Sequence, residues 1–250
     1  MPTIEGAGVE LAYEETLSPA PADGRTVLLV HGMGADRFVW ADTVAALRGE
    51  ARVIAYDRRA YGDSGAPEPY ARTTVAEQAE DAAALLLGLH AAPAVVVGAD
   101  LGALVALDLL LRHRALVPAA VLIDPPAFPL VPEANEALAA ERALLERVMR
   151  DAGPGAAVRA WLAGRGIAGD RAERAAARPR AFFADFGGQA TLALSRRELR
   201  ALDAPVAILD GPGAPHHVRA AADALAALLP GARRAGAEPP ADAARALLAG

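Results

Sequence analysis

The chain has 250 residues, 54% of them hydrophobic, a formal net charge of −6 and no cysteine. That length and apolar fraction suit one α/β domain with a sizeable core plus an insertion, while an acidic balance without a basic stripe argues against a surface that tracks nucleic-acid phosphates. Zero cysteines remove a disulfide framework, a thiolate nucleophile and any Cys-built metal site.

All 25 basic residues are arginine and alanine is abundant, which reads first as a GC-rich coding bias. The start, Met1-Pro2-Thr3-Ile4-Glu5-Gly6, has no basic region leading into an apolar stretch, so no secretory signal is expected and a cytoplasmic location is inferred. The apolar run 85–97 is broken by Gly88, His90 and Pro93, and 104–111 contains Asp108, so neither reaches membrane-spanning length.

In chain order, 9–14 alternates with period two, as an antiparallel, half-exposed edge strand should. The Pro/Ala/Gly stretch 18–24 reads as a loop. Residues 26–30, 52–56 and 94–97 read as buried strands, and the segment after Gly102 as a helix apolar on most sides that should lie under the sheet. A further strand, 119–124, is closed by Pro125-Pro126. The strand pattern then stops for about eighty residues, and helices are expected at 134–151, 155–163, 171–185 and 189–202. A strand at 205–209, a helix at 215–229, a poor strand at 232–235 and a helix at 240–248 complete the chain. Strands alternating with helices predict a mainly parallel sheet covered on both faces.

Three loops carry the chemistry. Strand 94–97 runs into Gly98-Ala99-Asp100-Leu101-Gly102, a Gly-x-nucleophile-x-Gly turn between strand and helix in which the glycines permit a sharp bend that presents one side chain. Strand 26–30 ends in His31-Gly32-Met33-Gly34, and strand 52–56 in Asp57-Arg58-Arg59-Ala60-Tyr61-Gly62-Asp63-Ser64-Gly65. In this order and spacing the three blocks resemble the elbow, HGxG oxyanion loop and D-x-R-G-x-G-x-S turn of the α/β-hydrolase family, a likeness that runs through most of the chain and fades after about Leu209. The resemblance implies an α/β-hydrolase fold: a core of 1–124 and 205–250, and a helical lid of 125–204 that governs which substrates fit.

It also shows what is missing. Asp100 stands where such a hydrolase carries its serine, and Ser18, Ser64 and Ser195 all lie outside an elbow. The loop after the last strand, where the family places its histidine, reads Arg234-Ala235-Gly236-Ala237-Glu238-Pro239. The loop after the preceding strand, where it often has Gly-x-x-Asp-Pro, reads Gly211-Pro212-Gly213-Ala214-Pro215, leaving Asp124 as the alternative acid.

An Asp elbow is similar to that of haloalkane dehalogenases and epoxide hydrolases, which implies an ester intermediate on Asp100; water needs a positioned base to open it. Those branches also usually carry proline where this chain has Gly34. The favoured expectation is therefore a non-hydrolytic, cofactor-free enzyme of natural-product (polyketide-like) biosynthesis, forming carbon–carbon bonds, cyclising or isomerising through an enolate. Asp100 acts as base, and the backbone N–H groups of Met33 and Leu101 form an oxyanion hole. The alternatives are a dehalogenase- or epoxide hydrolase-like enzyme with His217 or His216 as an unusual base, and a non-catalytic small-molecule binding protein. His31 reads as a loop-holding residue near the pocket and Asp124 as an acid without its usual partner. Trp40, Tyr61, Trp161, Phe182, Phe183 and Phe186 are candidates to line a lipophilic pocket. Arg171, Arg174, Arg178 and Arg180 read as a solvated helix face. The expected partner is a lipophilic small molecule, with no nucleic acid, membrane, metal or organic cofactor; oligomeric state stays open, a homodimer among the options.

Overall fold

The computed structural model describes residues 1–16 and 25–249, so the loop expected at 18–24, with Ser18, lies outside the described residues. Eight strands form one sheet: β1 (Thr3–Glu5), β2 (Glu10–Thr16), β3 (Thr26–Val30), β4 (Arg52–Tyr56), β5 (Val95–Ala99), β6 (Ala119–Ile123), β7 (Val206–Leu209) and β8 (Ala232–Gly236), in the order β1-β2-β4-β3-β5-β6-β7-β8. Strands β3 to β8 run parallel, and β2 is antiparallel to both β1 and β4. The alternating segment is therefore antiparallel as expected, but β1 covers its outer side and forms the edge.

The helices are α1 (Ala41–Leu47), α2 (Val75–Gly88), α3 (Leu101–Arg112), α4 (Ala134–Ala152), α5 (Pro154–Ala163), α6 (Asp170–Ala176), α7 (Pro179–Gly188), α8 (Arg196–Ala201), α9 (His216–Ala226) and α10 (Pro240–Leu248). Strand side chains point alternately to the two faces. Leu28 and Val30 of β3 accordingly enter the larger core with α2 and α3, and Val27 and Leu29 the smaller one with α1 and α10. Every residue of α3 from Leu101 to Leu110 is buried, which explains a helix without a polar face. Helix α2 begins with a reciprocal cap: Thr74 Oγ1 accepts from Glu77 N and Glu77 Oε2 accepts from Thr74 N.

Between β6 and β7 the chain makes no strand and builds α4 to α8. The helix expected at 171–185 is two helices, because Pro179 lacks an N–H and its ring collides with the carbonyl four residues back; it opens α7 instead. The helix expected at 189–202 shrinks to α8, started by Ser195 accepting from Glu198 N. Chain order puts β4 on one side of β3 and β5 on the other. A crevice opens beyond the carboxyl ends of parallel strands where the order reverses in this way, and the candidate site lies there. No helix among the described residues is long and apolar enough to cross a membrane.

Candidate active site at the β5–α3 elbow

Asp100 follows the last residue of β5 and precedes the first of α3, with φ 51° and ψ −123°, a left-handed, strained conformation for a residue with a side chain. Its flanking glycines make the bend possible by close approach. A Cβ on Gly98 would sit 2.1 Å from the Gly102 carbonyl oxygen, and one on Gly102 2.2 Å from that of Val30.

The turn aims the Asp100 carboxylate at the loop after β3, where its Oδ2 accepts from Met33 N at 2.9 Å. Burial pushes the carboxyl up from its ordinary pKa; the backbone N–H of Met33, the Arg165 charge, the backbone N–H of Leu101 and the Arg58 charge pull it down. The expected oxyanion donor Met33 is thus engaged by the Asp100 side chain itself, a pairing no sequence pattern announces.

Asp100 lines a cavity of about 410 Å³ together with Trp40, Asp124, Phe128, Trp161, Arg165 and Arg171. Asp124 follows β6 with φ 48°, and its Oδ1 accepts from Gly211 N at 2.9 Å. Burial, and less strongly the neighbouring Asp210 charge, raise its pKa, opposed by that backbone bond and by Arg234 and Arg219.

The helical insertion supplies the opposite wall. Arg165 donates to Glu141 at 2.8 and 3.0 Å and lies over the Trp161 ring, 3.3 Å from Cζ to centroid, while Trp161 Nε1 also donates to Glu141 at 2.9 Å. Arg171 faces the cavity from α6 with its Nε buried and unpaired. This corrects the reading of Arg171 as part of a solvated face: Ala175, one turn on, is buried, so Arg171 sits on the buried flank of α6. That i, i+4 pairing was the available signal. Glu141 and Arg165 carried none, because their partners are distant in sequence.

The imidazoles lie elsewhere. His31 is fully buried; its Nδ1 donates to the Gly32 carbonyl and its Nε2 accepts from Arg58 N, both at 2.9 Å. Burial, with the Arg58 charge, drives its pKa well below the ordinary value, and it stays neutral. His217 Nε2 lies 3.3 Å from Glu141 Oε1 without hydrogen-bond geometry, its ring 5.5 Å from that of Phe128, and burial lowers its pKa against the pull of Glu141. His216 lies at the start of α9. Among the described residues no histidine hydrogen-bonds Asp100.

Of the aromatic candidates, Trp40 and Trp161 line the cavity. Phe182, Phe183 and Phe186 do not: Phe182 packs edge-on against Trp161 and Phe183 and stacks on Phe186 behind the wall. Tyr61 also stands outside the lining. Its hydroxyl donates to Asp185 Oδ2 at 2.8 Å, and burial, then the Asp185 charge, raise its pKa.

That contact belongs to a buried polar junction between core and insertion. Arg58 donates through Nη2 to Asp185 Oδ2 at 2.7 Å and to the Gly32 carbonyl at 3.0 Å, and through Nε to the His31 carbonyl at 2.7 Å; Gln78 donates to Asp185 Oδ1 at 2.9 Å. The loop bearing Met33 is thereby tied to α7. No group of three or more His, Asp or Glu among the described residues could hold a metal ion.

Asp100→Asn tests the electrostatics, since it keeps an oxygen able to accept from Met33 but removes the charge. A carboxyl whose native pKa is raised binds its proton more readily folded than unfolded, so its ionisation costs stability as pH rises from the unfolded value through the native one. In paired thermal melts the variant is expected to melt above wild type at pH 8, with the gap closing towards pH 4. A wild type more stable at pH 8 would mean that the N–H donors outweigh burial.

A family model described as the alpha/beta hydrolase family matches residues 27–246. The chain is 35% identical over 187 residues to "Putative carbamate hydrolase RutD" of Variovorax paradoxus, covering 73% of this chain and 68% of that protein. Its match to the protein of the same name from Pantoea ananatis, 33% identical over 112 residues, covers 45% of this chain and only 40% of that protein's length. Among solved structures it is similar to a thermophilic esterase of Thermogutta terrifontis, with a TM-score of 0.74 at 26% identity over 100% of this chain and 96% of that one. A hydrolase of Sphaerobacter thermophilus, at 23% identity, 99% coverage of both chains and a TM-score of 0.73, shares the fold.

Proposed function

The chain belongs to the alpha/beta hydrolase family, and we propose that within it this protein is a cofactor-free enzyme that moves a proton at carbon instead of splitting an ester with water. One observation carries the reading: the elbow presents a carboxylate whose Oδ2 is fixed by Met33 N–H, and no imidazole among the described residues hydrogen-bonds it. A family hydrolysis cycle, or an ester formed on Asp100 itself, needs a base to activate water. The loop after β8, where that base would stand, offers Glu238, which is committed to Arg233 at 2.6 Å.

As a base, Asp100 benefits from burial. A carboxyl lifted above its ordinary pKa is a stronger acceptor, and a positioned acid or base contributes roughly 10²- to 10⁴-fold. The N–H of Met33 fixes the orientation of the carboxylate and favours its ionised form against the effect of burial. The cavity, about 410 Å³ with Trp40, Ile123, Phe128, Trp161, Ile167 and Val218 on its walls, falls within the size range of small-molecule sites. It suits a lipophilic carbonyl compound of the polyketide-like or aromatic-ketone kind, and the helical insertion closes over it as a lid. Proton removal next to the carbonyl gives an enolate, from which isomerisation, cyclisation or carbon–carbon bond formation follows.

Exchange of α-protons in deuterium oxide, followed by NMR over a panel of aromatic ketones and β-keto esters, tests this. Wild type should exchange at least one member faster than buffer, and Asp100→Asn should lose roughly 10²- to 10⁴-fold of that rate. Ester or carbamate hydrolysis above background, or an alkyl ester trapped on Asp100 and seen by intact mass, would establish the hydrolytic or nucleophilic reading instead. Saturable binding without exchange or hydrolysis would make it a binding protein.

A further inference from the structure

With Met33 N–H given to Asp100, an enolate formed in the cavity lacks the backbone cradle that its family position leads one to expect. We propose that Arg171 substitutes for that cradle, its guanidinium forming the subsite for an anionic oxygen, the enolate oxygen of the substrate. The inference rests on the proton-transfer reading above for the identity of that oxygen, but not for the existence of the subsite.

Two arginines line the cavity that holds Asp100. Arg165 is already satisfied, held by both oxygens of Glu141 and laid on Trp161. Arg171 is not. Its Nε is buried with no hydrogen-bond partner, and among the described residues no carboxylate lies within ion-pair distance of it. Two carboxylate charges reach Arg171, those of Asp100 and Asp36, but neither bonds it, and Asp36 is taken by Arg174 at 2.6 Å. Arg171 also lines a second pocket, of about 240 Å³, shared with Asp36, Arg174 and Arg178, so it stands in the wall between the two. Burying an unpaired guanidinium donor costs free energy that a merely structural arginine would recover through a neighbouring acid. A ligand oxygen bearing negative charge recovers it here, through a charge-assisted hydrogen bond.

The chemistry balances without a co-reactant. The C–H bond next to the carbonyl breaks, its proton goes to Asp100, and its electron pair becomes the carbon–carbon double bond while the carbonyl π pair moves onto oxygen. That oxygen rests on Arg171 until the proton returns from Asp100 to a different carbon, or until the enolate attacks an internal carbonyl, whose π pair moves onto its oxygen to give an alkoxide that takes the proton back from Asp100. Base and anion subsite thus come from different elements, Asp100 from the turn between β5 and α3 and Arg171 from the insertion.

4-Nitrophenol serves as the probe, since its phenolate carries an enolate-like charged oxygen on an aromatic ring and reports its own ionisation by absorbance. Wild type should bind the phenolate and lower its apparent pKa. Arg171→Met should weaken phenolate binding by roughly ten- to a hundredfold and abolish the pKa shift, while binding of neutral 4-nitroanisole stays the same; Arg171→Lys should recover part of the loss. Asp100→Asn should bind phenolate at least as tightly as wild type, because it removes a negative charge from the cavity. Undiminished phenolate binding by Arg171→Met, or a preference of wild type for the neutral phenol, overturns the proposal. If Arg171→Met is poorly folded, Arg171→Gln is read in the same way. Should Asp100→Asn retain α-proton exchange while Arg171→Met loses phenolate, the base assignment falls and the anion subsite stands.

Discussion

Asp185→Ala is expected to lose about 3–5 kcal/mol of folding stability, the usual cost of removing one partner from a buried ion pair, read as a lower denaturation midpoint in urea. Arg58 is only 1% exposed and Asp185 fully buried, and a guanidinium cannot shed its proton to escape. The deletion would also remove the acceptor of the Tyr61 hydroxyl and one of the two acceptors of the Gln78 amide, the other being Thr73. The pair Arg58→Met with Asp185→Leu should regain part of the loss, because replacing both buried charges by apolar groups removes the desolvation penalty. Full recovery is not expected, since Arg58 also holds the carbonyls of His31 and Gly32. If Asp185→Ala alone costs under about 1 kcal/mol, within the range of an exposed pair, this junction does not fasten the insertion to the core.

Gly102→Ala should be at least as damaging, with a loss of about 4 kcal/mol or more, at the exceptional end for one residue. The added methyl would lie 2.2 Å from the Val30 carbonyl oxygen and 2.7 Å from that of His31. Both are backbone atoms at the end of a central strand, so neither can rotate away as a side chain would, and α3 must lift off β3. A matched control is Gly187→Ala in α7, where nothing lies within 4 Å of the new methyl; a helix there should gain up to about 1 kcal/mol. Denaturation midpoints of the two variants side by side decide the matter: a Gly102→Ala as stable as wild type would mean that the elbow is looser than its geometry indicates.

The sequence carried the elbow because its evidence is local. Gly98, Asp100 and Gly102 sit within five residues, and the turn they form is set by backbone sterics between neighbours. The parallel strands were equally legible, being short apolar runs between turn residues. Edge order was not: β2 alternates like an edge strand, yet three residues at 3–5, too few to show a period, cover it. The site's electrostatics were hidden for a different reason. Arg58 meets Asp185 across 127 positions, and Arg165 meets Glu141 across 24. Arg171 was hidden within a run of arginines whose common helix Pro179 interrupts. Nor does any motif reveal that a carboxylate at the elbow turns back to use Met33 N–H, because that depends on where a side chain rotates once the loop after β3 is in place.

Every permanently charged cationic side chain in this protein is an arginine, since the chain has no lysine. Lysine surrenders its charge near pH 10.4, whereas arginine keeps it beyond about pH 12. Alkaline solution therefore does not discharge Arg58, the guanidinium that fastens α7 to the core through Asp185. A lysine in the same place would lose its charge, and with it that fastening, at a pH where the arginine still holds.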